Sequence, residues 1–136
     1  MSKTHLHVTC AIIEQGGCIL AGQRSRAMAM PLKWEFPGGK IKPGETHEHC
    51  LCREIAEELA IKVAVHHALV EVTHAYPEFT ITLYPFVCNI IFGTITLREH
   101  AAVIWLPREA LASLDWAEAD RPVLETYLQF AGQEIP

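Results

Sequence analysis

Glu54, Glu57 and Glu58 stand at i, i+3 and i+4 in the run Arg53-Glu54-Ile55-Ala56-Glu57-Glu58-Leu59. On a helix their side chains share one face within an arc of about 100°. Carboxylates crowded in this way repel by roughly a few tenths of a kcal/mol per exposed pair, and a hard divalent cation bound through oxygen reverses that cost. Mg²⁺, or Mn²⁺, suits such a donor set best. An acidic helix face alone is ordinary solvated surface. What sets this one apart is its surroundings: Gly39, five residues, Glu45, seven residues, then the acidic run. Matching these fixed identities and two apolar positions by chance has a probability on the order of 10⁻⁶ for a chain of this length.

The elements that must hold these residues are legible on either side. Phe36-Pro37-Gly38-Gly39-Lys40, followed by Lys42-Pro43-Gly44, concentrates proline and glycine and predicts a loop with unusual backbone angles. Thr46 is a fitting N-cap, and Leu51, Ile55 and Leu59 give His47 to about Leu59 a helical apolar spacing. Upstream, HLHVTCAII and CILAGQR flank a glycine turn and predict a hairpin. Downstream, Val63 to Tyr76 and Phe79 to Phe92 flank Pro77-Glu78 and predict a long hairpin. A short strand over Val103–Leu106, a short helix over Pro107–Leu114 and a C-terminal helix over Pro122–Phe130 follow. The order ββ, α, βββ, αα is that of an α+β protein, a mixed sheet with helices packed against it.

The 136 residues suit one domain, 1–136, and half of them are hydrophobic. A formal net charge of −5 argues against holding a nucleic acid polymer, because no basic field exists to bind its phosphates. The same charge repels a small polyphosphate, so local cations or a metal must overturn it at any such site. Cys10, Cys18, Cys50, Cys52 and Cys88 form an odd set without paired CxxC spacing. They read as small hydrophobes, and with no signal peptide evident in MSKTHLHVTC a cytoplasmic location is expected. No apolar run approaches the ~20 residues that span a bilayer, so no membrane partner is expected. None of the eight histidines shows a HExxH-like spacing, and most of them read as incidental.

The pattern from Gly39 to Ile61 resembles the signature of the Nudix hydrolases, and Trp34-Glu35-Phe36-Pro37-Gly38-Gly39-Lys40 resembles their MutT-like and CTP-pyrophosphohydrolase-like branch. The likeness extends to Arg24 in ILAGQR, to Glu99 in REHAAVIWLP and to WAEADRPVLE. It implies an α/β/α sandwich and a Mg²⁺-dependent conversion of a nucleoside triphosphate and water to monophosphate and pyrophosphate. Oxidised guanine or cytosine nucleotides are the candidate substrates, in a pool-sanitising role allied to DNA repair, carried out by a monomer or homodimer. By the same resemblance the Gly39 carbonyl, Glu54, Glu57 and Glu58 are metal ligands. Arg53 holds their rotamers with support from Glu45. Glu99 completes the metal site or serves as base, so the attacking water's proton goes to Glu54 or Glu99. Arg24 and Lys40 resemble phosphate-binding cations. Phe36 either stacks on the base or packs in the core. Asp120 either meets the base edge or caps the helix entered through Pro122.

One signature position departs. Ala60 stands where the family has glycine at the end of the helix, a place that commonly requires left-handed backbone. Two alternatives accompany the leading function. Pro77 lies near a proline common in ADP-ribose or dinucleotide pyrophosphatases, although it also makes a good hairpin turn. A non-catalytic Nudix-like nucleotide-binding module is the other, but such modules lose signature carboxylates and here all are present.

Overall fold

The computed structural model describes residues 4–133. Strand β1 (Thr4–Gln15) feeds two cores at once, because successive side chains of an extended chain point to opposite faces. Cys10 and Ile12 enter one apolar cluster, Ala11 and Ile13 the other. Gly16 and Gly17, with φ of 58° and 79°, turn the chain into β2 (Cys18–Gln23), which returns antiparallel to β1 as the opening hairpin requires. On its other side β1 lies parallel to β7 (Phe79–Phe92), in register from Thr4 opposite Phe79 to Ile13 opposite Cys88. The remaining strands attach to these three. Strands β3 (Trp34–Glu35) and β8 (Ala102–Pro107) pair with β2, β4 (Gly38–Lys40) with β1, and β5 (Lys62–Ala68) and β6 (Val72–Ala75) with β7.

Helix α1 (His47–Leu59) covers one face, placing Leu51, Ile55 and Leu59 on Ala11, Ile13 and Leu20. Burying each of those side chains contributes roughly 1.5–3 kcal/mol. Helix α2 (Asp120–Gly132) and a 3₁₀ helix (Arg108–Ser113) cover the other face through Leu111, Val123, Leu124 and Tyr127. The result is the mixed-sheet α/β/α sandwich. Glu14, at the end of β1, accepts a hydrogen bond from the Tyr127 hydroxyl and another from Arg108 Nη2 at 3.1 Å, bracing α2 to the sheet. Cys10, Cys50 and Cys88 are buried, Cys18 and Cys52 partly so, and all five are free thiols. Among the described residues no helix is long and apolar enough to cross a membrane.

Several expectations need correction. Gly38–Lys40 is a strand, not a loop with unusual angles, and of the nearby glycines only Gly44 has positive φ, at 78°. Gly38 and Gly39 serve close approach: a Cβ on Gly38 would lie 1.8 Å from the Thr9 carbonyl oxygen, and one on Gly39 2.2 Å from the Glu54 carboxylate. The run 63–76 divides into β5 and β6, because β5 slips register against β7 and the chain leaves the sheet around the exposed Val70 before β6 resumes. Pro77-Glu78 forms the expected turn, closed by Tyr76 N–H to the Phe79 carbonyl at 2.8 Å. The segment after Pro107 winds as 3₁₀, and α2 begins at Asp120, two residues before Pro122.

Ala60 has φ 60° and ψ 33° and donates its N–H to the Ala56 carbonyl at 3.1 Å, a left-handed helix end occupied by a residue with a Cβ. Ala60→Gly should therefore raise stability by up to ~1 kcal/mol, measured as a higher denaturant midpoint at unchanged slope. A lower midpoint would mean that the Ala60 methyl group gives more to packing than the backbone loses.

Candidate active site

Thr46 starts α1 by accepting the His49 N–H at 3.1 Å, which fixes the helix entry beside the Gly39 backbone. The helix then sorts its three acids by depth. Glu57 is 56% exposed at the side chain and Glu54 16%, while Glu58 falls on the buried stripe with Leu51, Ile55 and Leu59 and is 6% exposed. Arg53 binds the acidic surround together. Its Nε and Nη2 clasp Glu45 at 2.6 and 2.9 Å, and Nη1 reaches Glu54 Oε1 at 2.8 Å and Glu57 Oε2 at 3.3 Å. Nη2 also donates to the Lys40 carbonyl at 3.1 Å. Bidentate, charge-assisted contacts of this kind are the strong ones. The Arg53 guanidinium, helped by the Lys42 N–H, holds the Glu45 carboxyl well below the ordinary carboxylate range.

Glu58 is the opposite case. Burial, then the charges of Glu35, Glu99 and Glu54, push its carboxyl up to about 9, and its Oε2 is buried without a hydrogen-bond partner. An orphaned carboxylate oxygen in the same cavity as Gly39, itself pressed onto Glu54, is a place that a cation would complete, and oxygen donors alone suit a hard one. Among the described residues no three acidic, histidine or cysteine side chains already form a closed metal cage. Glu54 Oε1 and Glu57 Oε2 are instead engaged by Arg53. Glu99 lies on the exposed loop after β7, close enough to Glu58 for both charge and hydrogen bonding to act on it. That loop is tied to the end of α1 by Thr96 N–H to the Leu59 carbonyl at 2.9 Å and Arg98 to the Glu57 carbonyl at 3.2 Å.

A cavity of about 370 Å³ opens beside these acids, lined by Gly39, Lys40 and Glu58 and also by Arg24, Phe36 and Asp120. The Arg24 guanidinium pairs with Glu35 and donates from Nε to the Ala29 carbonyl at 2.6 Å. Phe36 belongs to the core, its ring 4.7 Å from that of Trp116. Asp120 does not cap α2: Ala119 is the N-cap residue and no side-chain cap bond forms. Its carboxylate reaches across to accept the Phe36 N–H at 2.9 Å. Burial first, and then the Glu35 charge, push Asp120 up to about 8 against the opposing pull of the Phe36 N–H and Arg24.

Sequence reasoning missed Glu35, which lines this cavity, and His100, which lies behind it. Glu35 accepts from Arg24 on one oxygen and meets His100 Nε2 on the other at 2.9 Å. His100 is buried and bonded to Glu35, an exception among histidines that read mostly as incidental. The only signal in the chain is adjacency, Glu35 beside Phe36 and His100 beside Glu99.

Residues 8–126 match the family model of the NUDIX domain. The chain is 33% identical over 123 residues to the CTP pyrophosphohydrolase of Escherichia coli, covering 90% of this chain and 91% of that protein. It is 32% identical over 130 residues to the 8-oxo-dGTP diphosphatase of Haemophilus influenzae, covering 94% and 95%. The solution structure of the E. coli ORF135 protein has a TM-score of 0.82 to this fold at 31% identity, covering 98% of this chain and 96% of that one. Fold and site together define a hydrolase acting on phosphoric anhydride bonds. With the signature spacing intact from Gly39 through Glu58, the chain belongs to the Nudix family.

Glu58 supplies a test that separates stability from chemistry. Its folded value lies above the ordinary 4.5, so ionisation opposes folding increasingly as pH rises from that value toward about 9. Without metal, Glu58→Gln should melt higher than the parent protein at pH 8, with a smaller gap at pH 5. Turnover should nevertheless fall at least ~10²-fold, as it should for the exposed Glu57→Gln. Near-normal turnover of both variants at limiting metal would remove the acids from the metal site.

Proposed function

We propose that this chain hydrolyses nucleoside triphosphates to the monophosphate and pyrophosphate with Mg²⁺, or Mn²⁺ in its place, and that it acts on cytosine or oxidised guanine nucleotides. One observation carries this reading: a single cavity is lined both by Glu58, Gly39 and Lys40 of the signature and by Asp120 from the other layer of the sandwich, which puts phosphate and base of one nucleotide within reach of both. The names of the relatives, a CTP pyrophosphohydrolase and an 8-oxo-dGTP diphosphatase, support the substrate class. The retained carboxylates weigh against a non-catalytic module.

The Gly39 carbonyl, Glu54, Glu57, Glu58 and Glu99 would hold the metal. Bound there, it would neutralise phosphate charge and acidify water. Arg53 fixes Glu54 through Oε1 and leaves Oε2 against Gly39, so the carboxylate is oriented before substrate arrives. Arg24 and Lys40 meet the phosphates. Water attacks phosphorus as the bond to pyrophosphate breaks, and the water's proton passes to Glu54 or Glu99.

Asp120 reads the base, and its environment decides what it reads. At neutral pH it carries a proton, and since Oδ2 accepts the Phe36 N–H, the proton belongs on Oδ1. In that form it donates to a base carbonyl; ionised, it accepts from cytosine's exocyclic amine.

Turnover of a nucleotide panel should require divalent metal, stop on chelation and release pyrophosphate rather than phosphate; preferred cleavage of ADP-ribose or dinucleotides would overturn the substrate class. Raising pH through about 8 should move the ratio of kcat/KM toward the cytosine nucleotide by roughly tenfold, the equivalent of about 1.4 kcal/mol for one hydrogen bond. Asp120→Asn should make that ratio independent of pH. A constant ratio in the parent protein would take Asp120 away from the base.

A further inference from the structure

His100 is buried behind the cavity-lining Glu35, yet nothing in the reaction so far uses it. Its ring is 1% exposed, and it fills the space over Gly22, where a Cβ would come within 2.7 Å of its Cδ2. The next residue is pinned by Ala101 N–H to the Gln23 carbonyl at 2.9 Å. One ring nitrogen, Nδ1, is buried without a partner. Such an orphan is a standing cost that an apolar side chain of similar shape would avoid, so the ring's value to the protein lies in its other nitrogen. Nε2 meets Glu35 Oε2 at 2.9 Å. The second oxygen of Glu35 takes Arg24 Nη1, and Arg24 Nε is occupied by the Ala29 carbonyl at 2.6 Å. Neither bond uses Arg24 Nη2. Glu35 also pairs through its backbone with Gly22, the residue that seats the histidine ring.

We propose that His100 is a positioning residue: it fixes the rotation of Glu35, and Glu35 fixes the Arg24 guanidinium with Nη2 left to meet the triphosphate. The proposal rests on the triphosphate reading of the cavity. The consequence is specific. A carboxylate held at only one oxygen can rotate, and an arginine paired to it then loses a defined direction, whereas Glu54 and Glu57 of α1 are held by Arg53 and stay in place. Arg24 contacts phosphates in both the bound substrate and the transition state, so the loss falls on KM rather than kcat.

The experiment compares His100→Ala and His100→Gln, each alone and with Arg24→Ala. Glutamine is the conservative variant because its amide N–H₂ extends to about the position of Nε2. His100→Ala should raise KM for the preferred triphosphate roughly tenfold with kcat within about threefold, and His100→Gln should bring KM back to within about threefold of the parent. With Arg24 already replaced, His100→Ala should add nothing, because it acts through Arg24. Glu35→Gln should mimic the alanine variant and stands in for it if that protein does not fold. A second readout needs no substrate: the ¹⁵N–H signal of Arg24 Nε should be sharp in the parent and the glutamine variant and broadened in the alanine variant. It distinguishes failure of this proposal from failure of the triphosphate reading, which would show as absent turnover with the signal still responding. Unchanged KM in folded His100→Ala, a full further rise in the Arg24→Ala background, a glutamine variant no better than alanine, or an unmoved Arg24 signal would each overturn the proposal.

Discussion

Negative charge collected in a fold that is already anionic must be held by something positive, and in this protein that something is Arg53. Its guanidinium spans three structural elements: the loop through Glu45, strand β4 through the Lys40 carbonyl, and helix α1 through Glu54 and Glu57. A planar fork with five donors suits this task, and a lysine's point charge would not reproduce it. Glu58 has no bond to that fork; burial first, and then the charges of Glu35, Glu99 and Glu54, push it toward its neutral form. The site is thus divided between acids already compensated by protein and one that is not.

The sheet makes this division possible. Because β1 serves both cores, a residue on one of its faces governs α1 while the next governs the cavity. Thr9 contacts Cys50 of α1 at 3.2 Å, and Val8 and Cys10 line the cavity. Parallel pairing with β7 extends the same alternation, bringing Ile81 and Leu83 to the cavity wall. The acidic helix and the Asp120 carboxylate therefore approach one space from opposite layers of the sandwich, and the strand between them sets their separation.

How much of this the sequence disclosed follows from the range of the forces involved. The helix carrying Glu54, Glu57 and Glu58 was legible to the residue, since Thr46, the Leu51–Ile55–Leu59 spacing and the left-handed Ala60 are all local signals. The acids' unequal depths were not, because depth depends on where the sheet lies and not on the helical period. The strand at Gly38–Lys40 was hidden behind two glycines and a proline that ordinarily announce a loop; here the missing side chains admit Thr9 and Glu54. The split between β5 and β6 depends on register slips against β7, a partner distant in sequence. Glu35 and His100 are 65 residues apart and carry no motif, so only the folded chain reveals that they meet. Asp120 is not the helix cap that Pro122 suggests; its carboxylate accepts the Phe36 amide instead, a partner no local pattern foretells.

The two glycines under the cavity limit how the protein could change its diet. Gly38 and Gly39 leave no room for even a methyl group, so the cavity floor is bare main chain, and the genetic code offers no substitution that redecorates it without moving Thr9 or Glu54. Whatever rests on that floor meets amides and carbonyls, which treat all nucleotides alike. Divergence toward a new base is left to the walls, where Leu6, Met28, Met30 and Phe79 can be exchanged for other shapes. A lineage built on this scaffold would keep one way of cutting while it retailored what it holds.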